Sequence, residues 1–143
     1  MKSRSLSIAV CAGGLAVVVA TAPVRAHHAF AAEYDRDKPV TMTGAVTKLE
    51  WTNPHARIYI DVKNDKGEVV NMDFELGPPN GLMRRGWNRN SLKAGHVVTI
   101  EGFMSKTNPR GANARSVKLP DGRQVFAGSS FDTGPAPEES SSK

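Results

Sequence analysis

Adjacent histidines at positions 27 and 28 and a third at position 55 are the residues of this sequence best suited to chemistry. A chain beginning at His27 would carry a free α-amine beside an imidazole, which is a ready-made nitrogen chelate. One further imidazole would complete a T-shaped set of three nitrogens, the arrangement called a histidine brace in copper proteins. Copper(II) stands at the top of the divalent affinity order and accepts tetragonal nitrogen ligation, so copper is the cofactor this set implies. His55 is the favoured second ligand, because Asn53-Pro54 breaks the chain just before it and aims it at one end of the fold. His28 is the substitute, although neighbouring ligands on a terminus give less geometric control. The competing reading makes the two histidines a solvated terminus and His55 a loop residue bonded to backbone. His96 follows Lys93-Ala94-Gly95 and reads as an exposed residue opening a strand.

A second set of residues suits recognition. Arg84, Arg85, Arg89 and Lys93 form a local positive cluster, with Arg110 and Arg115 as further candidates for the same surface. Guanidinium forks suit carboxylates and phosphates, so an adaptor for a protein or small ligand could use this helix end together with the loop of Trp51 and Asn53. The plainer reading is a solvated helix face. Asp61, Asp73 and Glu75 share the outward face of two adjacent strands with Arg57, Tyr59 and Lys63, and read as surface charge. Those carboxylates would repel phosphates, which argues against nucleic acid as a partner. No nucleophile elbow, phosphate loop or dinucleotide fingerprint is present, and no base stands by to serve a metal-activated water. The sequence therefore reads as a binding or accessory module and not an enzyme. Its partner is an unidentified protein or small ligand.

The histidine chemistry depends on how the chain begins. Lys2 and Arg4 precede an uncharged apolar run from Leu6 to Ala20, which is too short for a membrane span but suits a signal-peptide core. Cleavage after Ala20-Thr21-Ala22 would leave Pro23 next to the cut, a poor fit to a protease reading extended backbone. Cleavage after Val24-Arg25-Ala26 starts the mature chain at His27. The expectation is an exported, periplasmic protein with no stable membrane span. The lone cysteine, Cys11, falls in the removed segment, which excludes disulfides and thiolate chemistry afterwards. The 19 Lys plus Arg against 14 Asp plus Glu give a formal charge of +5. Without Lys2, Arg4 and Arg25 the balance is 16 against 14, too even for strong nonspecific attraction to nucleic acid or membrane.

The elements that must position these residues are mostly strands. Val40 to Trp51 alternates and then shifts phase, which with Gly44 predicts a bent strand carrying a bulge. Ala56, Ile58, Ile60 and Val62 alternate with Arg57, Tyr59 and Asp61, and the turn at Asn64-Asp65-Lys66-Gly67 joins this strand to Val70–Leu76. After Gly77-Pro78-Pro79, Asn80 is expected to cap a short helix ended by Gly86, with Trp87 and Leu92 seated on the core. A strand from His96 to Phe103, closed by Gly102, then Ala112 to Leu119 and Arg123 to Ala127, complete the pattern. This order predicts an all-β fold, a five- to six-stranded OB-like antiparallel barrel with one short helix between strands 3 and 4. The organisation is a signal peptide over 1–26, an arm over 27–39, the barrel over 40–127 and a disordered tail over 128–143.

His27-His28-Ala29-Phe30, Trp51-Thr52-Asn53-Pro54-His55 and the run from Asn80 to Trp87 resemble a family of small exported bacterial proteins, domain of unknown function 6152. The resemblance spans His27 to about Ser130 and is most specific in the HH-x-F and N-P-H pair. It implies export and a small β fold. It implies no catalytic residues.

Overall fold

Ile58 and Ile60 are fully buried while Arg57, Tyr59 and Asp61 between and beside them stay half-exposed, the period of two expected of a strand with one face in a core. The computed structural model describes residues 30–128. Within them, six strands follow in order: β1 (Tyr34–Glu50), β2 (Arg57–Lys63), β3 (Val69–Glu75), β4 (Val97–Ser105), β5 (Gly111–Lys118) and β6 (Gln124–Phe126). A short helix, Pro79–Met83, lies between β3 and β4. β1 pairs antiparallel with both β2 and β4, β2 pairs with β3, and β4 with β5. A parallel pairing of β3 with β5 closes a ring of five strands, and β6 extends β5 outside it. The fold is the expected OB-like barrel.

The long β1 can serve two neighbours because it bends. Its register against β2 shifts between Val46 and Lys48, which is the bulge that the phase shift predicts. Gly44 is buried against β2, where a side chain would strike the Asp61 carbonyl oxygen. The strand also begins earlier than its alternation suggests. Tyr34 pairs with Ser105 and Pro39 with Phe103, although Asp35-Arg36-Asp37-Lys38 between them has no apolar period. Pairing with β4 extends the strand here without any buried face to mark it.

Gly102 does not end β4. It lies inside the strand at a register shift against β5, and any side chain there would meet the Asn113 backbone. Asn113, 3% exposed, turns its Oδ1 to accept the Phe103 N–H at 3.0 Å, so a side chain satisfies the backbone donor at the irregularity. The helix also differs from expectation, since Asn80 lies within it and Pro78 holds the cap position without a side-chain bond. Pro79 opens the helix because its fixed φ and missing N–H suit the first turn. Gly86, at φ +88°, turns the chain out, and the Trp87 N–H reaches the Leu82 carbonyl at 3.1 Å.

Leu82 and Trp87 are buried, and the Trp87 indole donates to the Phe126 carbonyl at 3.0 Å, which seats the helix region as predicted. The centre of the barrel is filled by Phe74, Ile58, Ile60, Ile100, Val46, Val98 and Val117. Each such side chain contributes about 1.5–3 kcal/mol on burial. Met72 is buried among them, and Met42 and Met104 pack against the same cluster, so these sulfurs serve the core.

Candidate functional site

The outward faces of β1, β2 and β3 bring charged residues together in cross-strand rungs. Glu50 stands opposite Arg57 and Arg57 opposite Glu75; the next rung is Lys48, Tyr59 and Asp73. Asp61 opposite Asn71 forms a third. Side chains on such rungs lie close enough to pair. Arg57 donates from Nε to Asp73 Oδ1 at 2.9 Å and from Nη1 to Glu75 Oε2 at 3.0 Å. Lys48 Nζ meets Glu50 Oε2 at 2.9 Å, and the Tyr59 hydroxyl donates to the same oxygen at 3.3 Å. Asn71 bridges Thr47 and Asp61. Among the described residues no buried side-chain polar atom lacks a partner.

This network corrects the reading of Asp73 and Glu75 as open surface charge, while Asp61, among the described residues, meets only the exposed Asn71. The Glu75 side chain is 15% exposed and Asp73 23%, so both are largely withdrawn from water and held by one guanidinium. The hydrogen bond to Asp73, and then the charges of Asp73 and Glu75, raise the Arg57 pKa beyond its already high ordinary value. Hydrogen bonding from Lys48 lowers the Glu50 carboxyl below its usual range.

Glu75 has two further partners, and they come from elsewhere in the chain. His55, in the loop between β1 and β2, places Nδ1 2.8 Å from Glu75 Oε1. Tyr34, at the start of β1, is 5% exposed, and its hydroxyl interacts with the same carboxylate. Tyr34 in turn belongs to an aromatic group: its ring centroid is 5.2 Å from that of Phe30, which meets Phe103 edge-on at 6.3 Å. Residues 30–33 are helical, and Lys106 clasps them by donating from Nζ to the Ala31 carbonyl and from its backbone N–H to the Glu33 carbonyl. The beginning of the described chain is thus fastened beside the carboxylate that holds His55.

Burial, followed by the negative charge of Glu75, pushes the Tyr34 hydroxyl well above the ordinary phenol range. The folded protein therefore keeps this proton while the unfolded chain releases it above about pH 10. The unfolded state then binds fewer protons, so stability holds below that pH and falls above it, at up to about 1.4 kcal/mol per pH unit. Tyr34→Phe is expected to flatten this alkaline slope, measured by urea unfolding between about pH 9 and about pH 11. An unchanged slope would contradict the role of Tyr34.

Of the other candidate residues, His27 and His28 lie outside the described residues, as do the expected signal segment 1–26 and residues 129–143 of the expected tail. Gly128, expected to begin that tail, is buried, and its carbonyl accepts Arg85 Nη1 at 3.1 Å. Arg85 also stacks 4.0 Å above the Phe126 ring, so it fastens the last strand. Arg84, Arg89, Lys93 and Arg110 are exposed. Trp51 packs partly buried against the core, while Asn53 is exposed and its peptide bond to Pro54 is cis. His96 is half-buried just before β4, and its Nδ1 accepts the Lys93 N–H at 3.3 Å. The sequence left Tyr34 and Glu75 out of the site. The Arg57–Glu75 rung was available from strand register, but nothing in the spacing signals that Tyr34 reaches Glu75.

Among the described residues no three His, Cys, Asp or Glu side chains gather as a metal site, and no helix is long and apolar enough to cross a membrane. A closed OB-like ring with an interlocked charged face, and with an arm and a histidine loop joined at one carboxylate, defines a small β-barrel module. The chain belongs to the family of unknown function DUF6152, whose model matches residues 15–114. A search of the curated proteins finds no match.

Proposed function

We propose that the protein is an exported, periplasmic accessory module that captures copper(II) through nitrogen ligands from His27 and His55, with His28 as the alternative to His55. The observation that carries this reading is the bridge from Tyr34 through Glu75 to His55, which joins the two segments that supply the histidines. His27 precedes Phe30 by three residues, a span of about 10 Å when extended. Phe30 stacks on Tyr34, so a ligand from the arm starts its search next to the loop imidazole. The donor set suits the metal: an amine and imidazoles favour copper(II), while the sulfurs of Met42, Met72 and Met104, of the kind that would suit copper(I), are taken up by the core.

The test is a copper(II) titration of protein beginning at His27, read by electron paramagnetic resonance. The expected result is one equivalent bound with nitrogen hyperfine structure. The same protein with its His27 α-amine acetylated is expected to bind more weakly, because an amide nitrogen has no free lone pair to offer the metal. Equal affinity of the two forms would refute the amine as a ligand.

A further inference from the structure

Glu75 ends β3 and is 15% exposed, with its two oxygens committed in different directions. Oε2 takes the Arg57 guanidinium at 3.0 Å, and Oε1 faces His55 Nδ1 at 2.8 Å. The Tyr34 hydroxyl interacts with the same group. A carboxylate tied to a guanidinium only accepts hydrogen bonds, so the ring nitrogen facing it must be the one that carries hydrogen. In a neutral imidazole the lone pair is then left on Nε2. The His55 side chain is 40% exposed, which keeps that far edge of the ring in reach of a ligand.

We infer that Glu75 is a positioning residue that fixes His55 as the Nδ1–H tautomer and thereby makes Nε2 its ligating atom. Its use in copper capture rests on the function proposed above; the tautomer does not. Arg57 keeps the carboxylate from rotating away, so ring orientation and tautomer are set together before any ligand arrives. A carboxylate behind an imidazole is a common support for a metal-ligating ring, because it fixes the ring's orientation and tautomer.

Nitrogen-15 NMR of the metal-free protein at about pH 8, where an ordinary imidazole is neutral, reads the tautomer directly from long-range couplings in the His55 ring. The expected wild-type result is a single Nδ1–H form. Glu75→Gln can offer an amide N–H to Nδ1, so this variant is expected to shift His55 toward Nε2–H and to weaken copper(II) binding about 10–100-fold. Tyr34→Phe, which leaves Glu75 and Arg57 in place, is expected to retain the Nδ1–H form. An Nε2–H wild-type ring would overturn the assignment, as would an unchanged tautomer in folded Glu75→Gln. The wild-type spectrum decides the matter if that variant does not fold. An Nδ1–H ring in a protein that binds no copper would uphold the role of Glu75 and remove the metal reading.

Discussion

Replacing His55 with alanine is expected to abolish tight copper(II) binding by protein that begins at His27, while the barrel stays folded. The loss should exceed the roughly 10–100-fold that follows removal of a residue acting behind a ligand, because a donor atom itself disappears. Stability should change little. The imidazole is 40% exposed, and a hydrogen bond from such a ring is worth about 0.5–1.5 kcal/mol. Glu75 retains Arg57 and Tyr34, so the variant does not strand a buried charge. Competition titration measures the affinity, paramagnetic resonance the ligand set and circular dichroism the fold. A variant whose copper spectrum matches that of the wild type would take His55 out of the metal site.

Phe74→Ala is expected to cause the largest loss of stability, about 3–5 kcal/mol. Phe74 is fully buried, stands opposite Ile58 on β2, and faces Ala112 across the parallel pairing that closes the ring. Small domains have about 5–15 kcal/mol in total, so this change removes a large share of what holds the barrel. A melting temperature lower by about 15 °C or more is the expected readout. The residues on either side of Phe74 are Asp73 and Glu75, so copper capture should weaken together with the fold. A loss below about 1 kcal/mol would mean that the core closes over the cavity.

Strand positions were readable where one face is buried, because burial imposes a period of two. Ile58 and Ile60 on β2 and Met72 and Phe74 on β3 follow that rule, and the bulge near Thr47 announced itself as a break in phase. The first part of β1 was not readable. Asp35 to Lys38 span a register shift between the Tyr34–Ser105 and Pro39–Phe103 pairs without a buried face, so no period in side-chain type marks them. The same limit applied to Gly102, whose small size reflects close approach to Asn113 and not a strand end.

The site divides along similar lines. His55 and the charged face of β2 and β3 could be found from spacing, since each follows from local chain direction. The withdrawal of Glu75 from solvent could not, because Tyr34 and His55 reach it from segments distant in sequence. Carboxylates at alternate positions look like surface decoration until the partners that cover them are known. Arg85 was misleading for the opposite reason. Its cationic neighbours suggested a docking patch, whereas its own guanidinium is engaged with Phe126 and Gly128.

The parallel closure joins β3 to β5 over three residue pairs, from Asp73 and Gly111 to Glu75 and Asn113, whereas β1 and β4 share eight. A cylinder stitched so unevenly has a weakest seam, and local opening begins where the fewest contacts must break. Glu75 is the final stitch. Parting the ring there would release the arm and the imidazole in a single movement, so the breathing of the barrel and the placement of His55 share one hinge.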